Sequence, residues 1–131
     1  MQFLMLVYTD TALMDAVPDD EFDTLMRGCF EHADELHAQG MLLGSQQLEP
    51  AATARTIRTR NGRTTFSDGP FAETKEMLAG FNVLEADSFE EAVRIAAEFP
   101  WSRTGSIEVR PIRDMGAVRR RVGAAVPESV A

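Results

Sequence analysis

The sequence predicts a single α+β domain whose elements run strand, helix, strand, hairpin, strand, helix, strand. Three observations predict it. Short apolar runs at Phe3 to Tyr8, Met41 to Leu43, Gly80 to Ala86 and Ser106 to Ile112 have the length and composition of strands. Two stretches, after Pro18 and after Ser88, carry apolar residues at spacings of three and four, the signature of an amphipathic helix. Between them, Asn61-Gly62 separates two Arg- and Thr-rich segments with the dipeptide preferred in a two-residue type I′ hairpin turn.

The first strand, Phe3-Leu4-Met5-Leu6-Val7-Tyr8, is apolar on both alternating faces, which suits a central strand covered on both sides. Pro18-Asp19-Asp20 opens the first helix with acidic residues in its first turn. Phe22, Leu25, Met26, Cys29, Phe30, Ala33 and Leu36 form its apolar stripe, and Gly40 stops it. Met41-Leu42-Leu43 starts a second strand that runs towards Pro50. Arg55 to Arg60 and Arg63 to Phe66 make the hairpin, with only Ile57 and Phe66 apolar, so one of its sides faces water or a polar cleft. A strand at Gly80 to Ala86 leads into Ser88-Phe89-Glu90-Glu91, the spacing of a reciprocal capping box, and Pro100 ends that second helix. The last strand alternates Ile107 and Val109 with Glu108 and Arg110.

This order is a ferredoxin-like split βαβ sheet with an inserted β-hairpin. Two helices cover one face of such a sheet, so the other face calls for a cover, and a homodimer packing sheet against sheet supplies it. Periodicity fails from about Gly116. The domain is therefore expected over 1–115, with 116–131 a flexible tail or a weakly ordered dimer arm.

Composition narrows the function. Thirteen basic against twenty-one acidic residues give a net charge of −8, which disfavours nucleic acid and anionic membranes as partners. One cysteine permits no internal disulfide, and no leader-like start or membrane-length apolar run is visible, so a cytoplasmic protein is expected. Phosphate loops, dinucleotide fingerprints, zinc-protease and nucleophile-elbow motifs are absent, and no cofactor or metal is expected.

Candidate site residues centre on Ser67-Asp68-Gly69-Pro70-Phe71-Ala72-Glu73-Thr74-Lys75-Glu76, a rigid turn with an aromatic and several charges. Asp68 reads as a general base or orienting carboxylate, or else as an Asx-turn satisfying its own backbone, the second carrying more weight on the residues alone. Glu73 and Lys75 read as site residues or as solvated charges. Phe71 reads as a wall. Arg110, with Glu108 and Arg113, could hold an acidic ligand or pair across strands. His32 and His37 point to opposite flanks of the helix stripe, which argues against a shared metal site, and Cys29 in mid-stripe reads as a buried thiol.

Taken with Gly80-Phe81, the Gly40-Met41-Leu42-Leu43-Gly44 junction and Gly105-Ser106-Ile107-Glu108-Val109-Arg110-Pro111-Ile112, the Asp68 to Glu76 segment resembles the DGPF-domain proteins, a bacterial branch of the YCII-related family. The resemblance covers roughly residues 1 to 115. It implies a dimeric α+β barrel of ferredoxin-like subunits. Relatives have been proposed to hold a His–Asp pair in a cleft, one is a dehydrochlorinase of chlorinated aromatic rings, and some are linked with sigma-factor regulators. Fold alone transfers none of these activities. The sequence departs from the dyad pattern: Cys29 stands where relatives carry the helix histidine, with His32 almost a turn further on. The expectation is a small-molecule-binding dimer, with Asp68 and His32 as acid–base groups and Phe71, Glu73, Lys75 and Arg110 holding a small polar or aromatic ligand in proton transfer or elimination. The alternative is a non-catalytic accessory or regulatory protein linked to a sigma-factor system.

Overall fold

The computed structural model describes residues 1–127. In chain order the elements are β1 (Gln2–Asp10), α1 (Thr11–Asp15), α2 (Asp19–Ala38), β2 (Leu42–Gln47), β3 (Arg55–Arg60), β4 (Arg63–Asp68), β5 (Glu76–Glu85), α3 (Phe89–Ala97), β6 (Gly105–Pro111) and α4 (Met115–Val122). The main sheet has the order β2-β5-β1-β6, every pairing antiparallel, while β3 and β4 form a separate two-stranded ribbon. This is the ferredoxin-like order with the hairpin inserted between its second and third sheet strands. Among the described residues no helix is long and apolar enough to cross a membrane.

Alternation along β1 explains the layering. Phe3, Met5 and Val7 are buried with Leu84, Leu36, Ile95 and Phe99 in one core between the sheet and α2 and α3. Phe3, Met5 and Leu84 are the large side chains withdrawn fully from water, and each contributes roughly 1.5–3 kcal/mol on that account. Leu4, Leu6 and Tyr8 point to the opposite face and stay half-buried, as do Phe81 and Val83 on β5. With α2 and α3 packed on the core side, this second face is the open face of the sheet among the described residues.

Several local expectations hold in detail. Asn61 and Gly62 take positive φ of 53° and 75°, as a type I′ turn requires. Ser88 caps α3 by accepting a hydrogen bond from the Glu91 amide at 3.1 Å, whereas the Glu91 carboxylate accepts from Asp87 N at 3.1 Å and not from Ser88, so the reciprocal half of the box is displaced by one residue.

Three elements differ from the sequence expectation. Strand β5 begins at Glu76 and not at Gly80, because Glu76, Met77 and Leu78 pair with Asp10, Thr9 and Tyr8 beyond a bulge at Val7/Tyr8. Helix α1 is five residues long, too short to show periodicity, and is set by Asp10, whose carboxylate accepts from the Ala12 and Leu13 amides. Where the apolar periodicity fails, Met115–Val122 form helix α4. Asp114 caps it through the Ala117 amide and Gly123 closes it with φ of 77°, so two capping residues stand in for the missing apolar stripe. The end of the expected tail, 128–131, lies outside the described residues.

Candidate functional site

Two cavities lie against the sheet, one on each face. On the open face, a cleft of about 1490 Å³ runs between the sheet end formed by Tyr8, Glu76, Ser106 and Glu108 and a cover made of the 48–57 connection and the Pro70–Lys75 loop. The cover is tied down by backbone and side-chain bonds. Leu48 N donates to Ala79 O at 2.8 Å, Gly69 N to Ala54 O at 2.7 Å, Thr56 Oγ1 to Gly69 O at 2.9 Å and Arg58 Nη2 to Phe71 O at 2.7 Å. Gly69 has φ of 92°, which fixes the turn in a conformation other residues avoid.

The floor of this cleft is polar because the register places unlike strand ends side by side. Tyr8 pairs with Ser106, and Leu6 with Glu108. The Tyr8 hydroxyl donates to Glu108 Oε1 at 3.1 Å. Ser106 Oγ lies 2.7 Å from both Glu76 oxygens, and Lys75 Nζ lies 3.6 Å from Asp10 Oδ2. Asp10 is buried and spends its other oxygen on the α1 amides. Partial burial raises the Tyr8 pKa, the hydrogen bond to Glu108 and its negative charge add to the rise, and Arg110 opposes it. The phenol is therefore protonated at neutral pH, beside a carboxylate that accepts its proton in a hydrogen bond.

The sequence-derived candidates divide between this cleft and other surfaces. Phe71 and Lys75 line the cleft. Arg110 lies on the open face opposite Leu4 and is close enough to act on Tyr8. Glu73 is exposed and outside the cleft lining. The Asp68 carboxylate is 90% exposed and lies 3.5 Å from Arg55 Nε, its cross-strand partner. Its partner in this chain is the arginine paired with it across the ribbon.

His32 lies on the helix side of the sheet. Its Nε2 is 2.8 Å from Glu98 Oε2, out of line for a hydrogen bond, and its ring meets Phe99 edge-on at 5.1 Å. It lines a groove of about 270 Å³ between α2 and the Pro100–Arg103 turn. Among the described residues Asp68 and His32 thus lie apart, on the β3–β4 hairpin and on helix α2. Among the described residues no group of three or more His, Cys, Asp or Glu is placed to hold a metal ion.

A model of the YCII-related domain matches residues 1–116. The chain belongs to the YCII-related family. An uncharacterized protein of Rhizobium meliloti is 35% identical to this YCII-related chain over 114 residues, covering 86% of it and 92% of that protein. Among solved structures, a 5-chloro-2-hydroxyhydroquinone dehydrochlorinase from Burkholderia phenoliruptrix, in complex with 2,5-dihydroxybenzoquinone, aligns with a TM-score of 0.43 at 14% identity, covering 86% of this chain and 94% of that one.

In this YCII-related chain Cys29 is half-buried against the core, and burial raises its thiol pKa while a hydrogen bond with Trp101 acts in the other direction. The inert buried thiol expected from its position in the stripe agrees with that environment.

The cleft residues that sequence reasoning passed over are Tyr8, Asp10, Glu76 and Ser106. A signal for them existed. Leu4, Leu6 and Tyr8 share one face of the first strand, and Ser106, Glu108 and Arg110 share one face of the last. Polar groups ending an apolar sheet face mark the place where a site can open.

Proposed function

We propose that this YCII-related protein binds a small polar or aromatic molecule in the open-face cleft and transfers a proton on it, working as a homodimer in which a second copy closes the cleft. The observation that carries the reading is the meeting of Tyr8, Glu108, Glu76, Ser106 and Lys75 at one sheet end, beneath a tethered loop. A protonated phenol is a hydrogen-bond donor for a substrate oxygen that gains negative charge as a proton leaves. Glu108, held beside it, is the acceptor for that proton. Lys75 supplies a cation for an anionic substituent, and Phe71 offers a flat apolar wall. Where the substrate carries a leaving group next to the deprotonated carbon, the electron pair released by proton removal expels it, which is elimination. Asp68, His32 and Glu73 have no part in this reading.

Dimerisation is supported by what the open face exposes. Leu4, Leu6, Phe81 and Val83 are only half-buried, Leu43 is exposed, and the cleft exceeds the 300–1,000 Å³ typical of small-molecule sites. A second copy packed sheet to sheet would bury those side chains and narrow the cleft.

Thermal-shift screening with hydroxylated and carboxylated aromatic compounds tests the binding claim. A hit is expected to lose its effect in Tyr8→Phe and Glu108→Gln, with Lys75→Met weakening anionic hits selectively. If no compound raises the melting temperature, or if hits persist in all three variants, the cleft is not the site. Light scattering is expected to give twice the mass of one chain, and Phe81→Asp to give monomers; a monomeric wild type removes the dimer.

A further inference from the structure

The β3–β4 ribbon stands apart from the main sheet. Every residue of β4 is exposed, and in β3 only Thr56 and Arg58 are half-buried. A two-stranded ribbon exposed in this way is marginal in water unless an apolar face of it packs on something.

That apolar face is bare. Ile57 and Phe66 stand directly opposite each other across the ribbon and are 64% and 70% exposed. By strand alternation Arg55 shares the face with Ile57, and both line the open-face cleft, so the bare pair continues the exposed surface of the open face. The charge of the ribbon is equally one-sided. Arg55, Arg58, Arg60 and Arg63 stand against Asp68 alone, in a chain of net charge −8. Among the described residues, Arg55 is the one arginine of the four with a carboxylate within ion-pair distance. The cleft has the opposite balance, with Asp10, Glu49, Glu76 and Glu108 against Arg55 and Lys75.

We infer that the ribbon is an arm that grips a second copy of this chain, Ile57 and Phe66 packing on the half-buried Leu4, Leu6, Phe81 and Val83 of that copy's open face, with Arg60 and Arg63 directed towards its acidic cleft. Each cleft is then walled in part by the ribbon of the other copy. The inference rests on the homodimer proposed above and adds to it the segment that reaches across. An acidic body repels a polyanion but attracts the basic ribbon of another copy, which favours self-association over nucleic acid. A contact made reciprocally closes under two-fold symmetry.

Sedimentation velocity over a dilution series, with hydrogen exchange of the β3–β4 amides at the same concentrations, tests the arm on the full-length chain. The wild type is expected to dimerise, to protect those amides more as its concentration rises, and to dissociate more readily as salt is raised. Phe66→Ser and Ile57→Ser should each raise the dimer dissociation constant about tenfold or more, the effect of leaving one large apolar side chain in water. Arg63→Glu should raise it as well. Val93→Ser removes an exposed apolar side chain from α3, on the other side of the sheet, and should leave it unchanged. All four side chains are exposed in the single chain, so far-UV circular dichroism of the variants should match wild type. A wild type that is monomeric at every concentration overturns the arm and the dimer together. A wild-type dimer whose dissociation constant and amide protection are unmoved by Phe66→Ser and Ile57→Ser overturns the arm alone and leaves the sheet-to-sheet dimer standing. Protection of the ribbon by a DNA or RNA oligonucleotide, and not by rising protein concentration, also overturns it and assigns the ribbon to nucleic acid.

Discussion

Gly105→Ala tests the register on which the open-face cleft depends. Gly105 sits opposite Thr9 at the start of β6, next to the Tyr8–Ser106 pair. A Cβ added there would lie 1.9 Å from Tyr8 O, 2.8 Å from Tyr8 C and 3.0 Å from Thr9 Cα. These are backbone atoms, which cannot rotate away as the end of a side chain can, so β1 and β6 must separate locally. Overpacking against movable neighbours costs about 1–3 kcal/mol, and a backbone clash of this depth belongs at about 3 kcal/mol. For a domain of this size that is a fall in melting temperature of about 10 °C. Gly28→Ala is the matched control. A Cβ there meets nothing within 4 Å, and within helix α2 the change should stabilise by about 0.5–1 kcal/mol. The assay is thermal unfolding followed by far-UV circular dichroism for wild type and both variants. If Gly105→Ala melts within a degree of wild type, β6 does not approach Tyr8 as described, and the cleft floor built on that approach is wrong.

Other outcomes follow from the same geometry. Ser88→Ala removes the cap on α3 and should destabilise by about 1 kcal/mol in urea unfolding, with an unchanged denaturant slope. Asp68→Asn breaks only an exposed cross-strand pair, so its melting temperature should match wild type within error and its ligand response should be unaltered. Truncation before Met115 should lower helical circular dichroism by the amount of one short helix, because α4 is capped at both ends.

The fold was readable because each layer left its own mark in the chain. Phe3 to Tyr8, apolar on both faces, marks the central strand; Gly40 and Pro100 bound the helices; Asn61-Gly62 fixes the hairpin. What could not be read depends on pairing and not on period. The early start of β5 follows from its register with Thr9 and Asp10, which no local pattern announces. Helices α1 and α4 are held by caps and are too short for an apolar stripe to show. For the site, the rigid turn at Gly69 and Pro70 was legible from its residue types, and Phe71 and Lys75 beyond it line the cleft. The contact at its floor was not legible because Tyr8 and Glu108 are a hundred residues apart in sequence and meet through the β1–β6 pairing. Asp68 drew attention through its position in a conspicuous turn, yet the turn presents it to Arg55 and solvent.

Tyr8 is the only tyrosine in the chain, so ultraviolet titration of its phenolate reads the cleft floor without interference from another residue of its kind. Because the folded pKa is raised above the ordinary value of 10.0, the stability linked to Tyr8 is intact below that pH and is lost as pH rises through the folded pKa. The wild type is therefore predicted to titrate above 10.0, Glu108→Gln to move the midpoint down, and a ligand bound in the cleft to move it further from the free value. A Tyr8 that ionises at its ordinary pKa and ignores both Glu108→Gln and every cleft ligand would contradict the proposed proton-transfer site.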